Sequence, residues 1–82
     1  MCRNITTLRG LEPSVTDEEV EAAATQFVRK VSGVTSGKLL ETEAFHRAVA
    51  LVASATRQLL ADLPARHGPP RTLPASRRHV TN

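Results

Sequence analysis

The sequence predicts an all-α fold, in which an antiparallel helical hairpin is held by an N-terminal strap and followed by a disordered C-terminal tail. Apolar residues recur at spacings of three and four in two separate stretches, which favours helices over strands. The apolar content is mostly Ala, Val and Leu, with two Phe and no Trp or Tyr. Because 82 residues make one domain at most, we expect residues 1–63 to form a small helical domain and residues 64–82 to form the tail.

The strap precedes the first helix. Ile5, Leu8 and Leu11 are spaced by three residues, so they can place one apolar edge along the hairpin. Gly10 and Pro13 follow within the same stretch, and both residue types interrupt regular helix. We therefore expect the strap to pack on the hairpin as a segment of its own.

The first helix is predicted over residues 17–31. Thr16 and Glu19 match a capping box, in which each side chain bonds the backbone N–H of the other residue. Gly33 is expected to end the helix in the left-handed conformation. The apolar stripe of this helix consists of Val20, Ala24, Phe27 and Val31.

The second helix is predicted over residues 43–63. Thr42 is a suitable N-cap, residues 39–41 can add a turn before it, and Pro64 ends the helix. Its apolar positions recur in a heptad pattern and are Phe45, Val49, Val52, Thr56, Leu59 and Leu63. The connection between the two helices is short, so they are expected to fold back antiparallel.

Two helices and a strap make a thin core. The heptad seam of the second helix can face the first helix, a second copy of the chain, or both. We expect a homodimer that forms a four-helix bundle, because small helical domains often complete their core by self-association.

The tail, residues 64–82, differs from the domain in composition and charge. It holds four of the five prolines and few large apolar side chains, so it is predicted to be disordered. The domain carries seven basic and eight acidic residues, whereas the tail carries four arginines and no acid. Arginines attract phosphates, so weak nucleic-acid binding is one alternative function. Because the tail has no aromatic residue on which bases could stack, we do not expect nucleic acid to be the partner.

The first residues of the chain carry no signal-peptide pattern, and no stretch approaches the roughly 20 apolar residues of a membrane span. The chain has one cysteine, Cys2, which has no partner for an internal disulfide. We therefore expect a reduced cytoplasmic protein that does not associate with a membrane.

Cys2 is the main candidate for chemistry. Removal of Met1 would place a free α-amine beside the thiol, and Arg3 would favour the thiolate, with Asn4 available to orient it. The amine can then act as the base for its own nucleophile, or amine and thiolate can chelate a soft metal. The alternative is that Cys2 is a small buried apolar residue, as free cysteines often are.

Two other sets of residues are weaker candidates. Arg29, Lys30 and Lys38 can form an anion-binding cluster, although Arg29 and Lys30 at a helix C-terminus also complement the helix dipole. His46 is the one histidine of the domain and could join Cys2 as a metal ligand. No pair of ligands has metal-binding spacing, so His46 is expected at the surface.

Three stretches carry a resemblance to a known family, namely MCRNI at the start, TDEEVEAAATQFVRKVSG and AFHRAVALVASATRQLL. They resemble a family of small bacterial proteins classed as domain of unknown function 2277, with the likeness running from Met1 to about Leu63. Residues 10–14 and residues 36–39 depart from the family pattern. The resemblance implies a bacterial cytosolic origin and one small helical domain, and it implies no activity, ligand or partner.

These observations favour a non-enzymatic module for protein interaction or regulation, because no catalytic set of residues is assembled in the sequence. Self-association is the expected contact, with an unknown protein as a further partner. Thiol or metal chemistry at Cys2 and nucleic-acid binding through the tail remain the alternatives. No cofactor is implied other than a soft metal at Cys2.

Overall fold

The computed structural model describes residues 5–11, 13–64, 68, 70, 73, 74 and 77. In these residues the chain forms helix α1 (Asp17–Ser32), a short 3₁₀ helix (Lys38–Glu41) and helix α2 (Glu43–Asp62), and no strand. Both α-helices match the predicted ranges to within one residue. The all-α helical hairpin is therefore confirmed.

The start of α1 is fixed by the predicted capping box. The backbone N–H of Glu19 donates to the Thr16 hydroxyl at 3.2 Å, and the backbone N–H of Thr16 donates to Glu19 Oε1 at 2.9 Å. The Thr16 N–H has no acceptor inside the helix, and the Glu19 N–H adds the hydroxyl to a 3.1 Å bond with the Thr16 carbonyl, so the helix begins sharply at Asp17.

The end of α1 is fixed by a left-handed glycine. Gly33 has φ 75° and ψ 7°, and its N–H donates to the Arg29 carbonyl at 2.9 Å. The Arg29 guanidinium in turn donates to the Thr35 carbonyl at 2.9 Å and so holds the loop against the helix that precedes it.

The start of α2 depends on one hydroxyl. Thr42 Oγ1 accepts the backbone N–H of Phe45 at 3.3 Å and donates to the Leu39 carbonyl at 2.9 Å. The same side chain therefore caps α2 and joins it to the preceding 3₁₀ helix. At the other end, the N–H of Leu63 donates to the Leu59 carbonyl at 3.0 Å before Pro64 stops the helix.

The helices pack side by side and run antiparallel. A carboxylate oxygen of Asp17, at the start of α1, lies 3.9 Å from a guanidinium nitrogen of Arg57, near the end of α2. The core between them and the strap is small, and Ala53 of α2 is fully buried in it. The other buried members of this cluster are Leu8, Leu11, Val20 and Ala24. Leu8 and Leu11 of the strap therefore contribute to the core as their spacing predicted, whereas Ile5 is 43% exposed and lies outside it.

The apolar stripe of α1 differs from the one predicted. Val28 is buried, whereas Phe27 is 45% exposed and Val31 is 67% exposed. The buried positions of α1 thus follow a spacing of four, through Val20 and Ala24 to Val28. A single neighbouring helix and a short strap cover a narrow stripe, so the flank that carries Phe27 remains open.

The seam of α2 is also only partly covered. Val49 and Val52 pack against the core, but Leu59 and Leu63 are exposed. Within the described ranges, neither α-helix combines the length and hydropathy needed to cross a membrane. The division into a domain over 1–63 and a disordered tail over 64–82 stays a prediction.

Candidate functional site

The N-terminal candidates Cys2, Arg3 and Asn4 lie outside the described residues. In the part of the chain that the structure describes, no three His, Cys, Asp or Glu side chains come together in a way that would hold a metal ion. His46 is exposed, and its ring stands edge-on to Phe45 with the ring centroids 6.3 Å apart. Thiol or metal chemistry at Cys2 stays a prediction.

The cationic candidates are only partly brought together. Arg29 and Lys30 line an open hollow of about 340 Å³ at the C-terminal end of α1, with Gln26, Gly33 and Thr35. Lys38 is not one of the described residues that line it. Arg29 is engaged with the Thr35 carbonyl, and helix C-termini carry partial negative charge. The geometry therefore accounts for both cations as stabilisers of the helix end, and anion binding stays a prediction.

A second hollow, of about 270 Å³, lies where the strap, α1 and α2 meet. None of the described residues that line it is charged. The lining residues are Ile5, Thr6, Leu8, Ala23, Ala24, Phe27, Val52, Thr56 and Leu60. The Thr56 hydroxyl donates to the Val52 carbonyl at 2.7 Å, so this polar group is satisfied within its own helix. We call this surface the apolar hollow.

Among the described residues, the polar contact with the most hydrogen bonds joins Arg77 of the tail to the start of α1. Arg77 Nε donates to Glu19 Oε2, and Arg77 Nη2 donates to Glu19 Oε1 at 2.8 Å. Arg77 Nη1 donates to the Pro13 carbonyl at 2.9 Å, and Nη2 also donates to the Ser14 carbonyl at 3.2 Å. The Glu19 side chain is 9% exposed and that of Arg77 is 17% exposed. The pair is thus largely withdrawn from water.

The electrostatics of this contact follow from its geometry. The hydrogen bonds from Arg77 lower the pKa of the Glu19 carboxyl, burial acts in the opposite direction, and the Thr16 backbone N–H lowers it further. The Glu19 carboxylate in turn raises the pKa of the Arg77 guanidinium. Glu19 is therefore held ionised while it serves both the cap and the tail.

The sequence alone does not predict this contact. Local patterns place Glu19 in the capping box, and nothing distinguishes Arg77 from the other three arginines of the tail. The two residues are 58 positions apart, so no periodic or local pattern links them. The nearest local signal is Pro74, which is buried and whose carbonyl accepts the Arg77 backbone N–H at 2.9 Å.

Comparison with protein families gives one match. The family described as uncharacterized conserved protein (DUF2277) matches residues 1–82. The chain belongs to this family. The DUF2277 match continues past Leu63, where the resemblance was expected to end, and so includes the segment that carries Arg77. No curated protein and no solved structure matches the chain.

Proposed function

We propose that this DUF2277 chain is a non-enzymatic helical module of the bacterial cytoplasm that pairs with a second copy of itself. The observation that carries the proposal is the apolar hollow, which is open, uncharged along its described lining, and bordered by the half-exposed ring of Phe27. Regulation or partner binding would then depend on the dimer.

The hollow leaves apolar surface in contact with water. Phe27 and Ile5, which both line it, are exposed by nearly half. Burying apolar surface contributes roughly 25 cal/mol per Å², so covering this face is favourable. A domain of this size gains the most from such a contact, since its own core is small.

A second copy is the occupant that fits the chemistry. Two identical surfaces can meet without like-charge repulsion here because no charged residue lines the described hollow. A two-fold contact also requires a patch that complements itself. This patch has a half-exposed ring, Phe27, in the lining of an open hollow of about 270 Å³, and cavities of about 150 Å³ already admit benzene.

The resulting arrangement is a four-helix bundle. Each copy would insert the Phe27 ring toward the hollow of the other, and the two rings would meet near the two-fold axis. The exposed Leu59 of α2 lies seven residues from Val52, on the same side of the helix, and would extend the contact. Paired aromatic rings add about 0.5–1.5 kcal/mol beyond the area they bury.

Sedimentation equilibrium across a wide range of concentration tests the proposal. Phe27→Glu is expected to weaken dimerisation about 30- to 1000-fold, the effect of losing about 2–4 kcal/mol at an interface centre. Leu51→Glu is the matched control, because Leu51 is 64% exposed and does not line the hollow. Both positions are exposed, so the folded helix content is expected to be retained.

Two results would contradict the proposal. One is a wild-type chain that stays monomeric at millimolar concentration. The other is a dimer that Leu51→Glu dissociates and Phe27→Glu leaves unchanged, which would move the contact to the outer face of α2.

A further inference from the structure

The Arg77 guanidinium is surrounded by acceptors from two segments of the chain. The Glu19 carboxylate takes two of its hydrogen bonds, and the backbone carbonyls of Pro13 and Ser14 take the other two. We propose that these three residues form a guanidinium-binding site. Its ligand in the resting chain is Arg77 of the chain's own tail, and it accepts the arginine of a peptide in trans once Arg77 is withdrawn.

The site selects a guanidinium over an ammonium group. Arginine presents five N–H donors in a planar fork, and the Glu19 carboxylate accepts two of them side by side. The carbonyls of Pro13 and Ser14 accept at the other edge of the fork. A lysine is a point charge with three donors and does not match acceptors placed on both edges at once.

The helix cap orients the main acceptor of the site. The Thr16 backbone N–H holds Glu19 Oε1 at 2.9 Å, so the carboxylate orientation is set by the helix cap. The carbonyls of Pro13 and Ser14 belong to the segment that leads directly into the Thr16 cap of α1. Preorganisation of this kind strengthens binding, because the receptor loses little freedom when the ligand docks.

The helix dipole does not explain the contact. The N-terminus of a helix carries partial positive charge and disfavours a cation. Arg77 nevertheless lies at the start of α1, with its side chain largely withdrawn from water. The specific acceptors therefore outweigh the dipole, which distinguishes a built site from general electrostatic attraction of a basic tail.

Occupancy of the site is coupled to the helix cap. Glu19 Oε1 accepts from both the Thr16 backbone and Arg77 Nη2. A docked guanidinium thus holds the carboxylate where the cap needs it, and an intact cap holds the carboxylate where the guanidinium needs it. By reciprocity, whatever withdraws Arg77 also loosens the start of α1.

The full-length chain provides the first test, by NMR of the Glu19 and Thr16 amides and of the Arg77 Nε–Hε group. Arg77→Ala and Arg77→Lys are expected to shift both amide signals, and Arg78→Ala is expected to leave them in place. Arg78→Ala is the matched control because it removes the same charge from the neighbouring position. Equal shifts from Arg77→Ala and Arg78→Ala would overturn the proposal.

Glu19→Gln separates the site from the cap. Glutamine also completes a capping box, so helix content should be retained, but it lacks the charge and second acceptor that the guanidinium needs. A hydrogen bond slows the exchange of the Arg77 Nε–Hε proton with water. In this variant the proton is expected to exchange freely. Continued protection would contradict the assignment. If Glu19→Gln does not fold, Arg77→Lys tests the same point, because amide signals that stay in place with lysine would contradict selection for a guanidinium.

Binding in trans is the second test, with a fluorescein-labelled peptide of residues 70–82 as the probe and anisotropy as the readout. The peptide is expected to bind the Arg77→Ala protein. It should bind the wild-type protein at least about tenfold more weakly, the effect of a site that is about 90% filled by its own tail. Adding Glu19→Gln to the Arg77→Ala protein should abolish binding.

Variants of the peptide complete the design. A peptide with Arg77→Lys should bind at least about tenfold more weakly than the parent, and one with Arg78→Ala should bind like the parent. No binding to the Arg77→Ala protein overturns the proposal. Binding that is indifferent to Glu19→Gln, or equal for the lysine peptide, also overturns it, since either result indicates non-specific attraction.

Discussion

Gly33 offers a test of how α1 ends. The residue has φ 75° and ψ 7°, and an added Cβ would meet no atom within 4 Å. Gly33→Ala therefore changes the backbone energy without introducing a clash. An L-residue in the left-handed conformation costs about 1–2 kcal/mol. Alanine also lowers the entropy of the unfolded chain, which offsets about 0.4–1 kcal/mol. We expect a net loss of about 1 kcal/mol.

Urea unfolding followed by circular dichroism at 222 nm measures this loss. Thermal unfolding gives a second measure, because a loss of about 1 kcal/mol in a domain of 60–100 residues lowers Tm by about 4–8 °C. Gly33→Asn is the control, because asparagine tolerates the left-handed region and should lose less. Gly37 has φ 87° and ψ −168°, a region open essentially to glycine alone, so Gly37→Ala should lose more, about 1–3 kcal/mol.

The reasoning requires the loss of unfolding free energy to increase from Gly33→Asn through Gly33→Ala to Gly37→Ala. If Gly33→Ala is as stable as the wild type, Gly33 is not held in the left-handed conformation and the reasoning fails. If Gly33→Asn loses as much as Gly33→Ala, the loss has another origin than the backbone conformation.

Two further predictions concern the other end of α1. Thr16→Ala should destabilise the chain by about 1 kcal/mol in urea unfolding, because the Glu19 N–H loses its side-chain acceptor; an unchanged midpoint would mean that water replaces the cap fully. The lowered pKa of Glu19 should make stability depend on pH. A carboxyl whose pKa is lower in the folded chain than in the unfolded chain stabilises the fold at any pH above its ordinary pKa of 4.5. This contribution is lost as the pH falls through the folded pKa. Urea midpoints between pH 6 and pH 3 should fall less in Glu19→Gln than in the wild type, and parallel curves would contradict the sign.

The parts of the fold that sequence predicts are those whose signals lie within a few residues. The Thr16 and Glu19 cap, the Gly33 stop and the Thr42 cap each depend on neighbours three or four positions away. Hydrogen-bond geometry at a helix end leaves few alternatives there, so the bounds of α1 and α2 follow closely.

The covered side of each helix was harder to predict. Phe27 and Val28 are adjacent, and both fit an apolar stripe, but only Val28 is buried. The choice depends on where α2 and the strap lie, which is a property of the assembled chain. Periodicity gives the width of an amphipathic face, and the number of elements that cover it decides which flank remains open.

The candidate site shows the same division more strongly. Its capping half was predictable, because Thr16 and Glu19 are three residues apart. Its guanidinium half comes from Arg77, 58 residues along the chain from Glu19, in a segment whose composition predicts no structure. Long-range contacts of this kind depend on one side chain meeting acceptors that local structure has already placed. The helix cap is therefore part of the site and helps to build it, since the Thr16 backbone N–H orients the Glu19 carboxylate that receives the arginine.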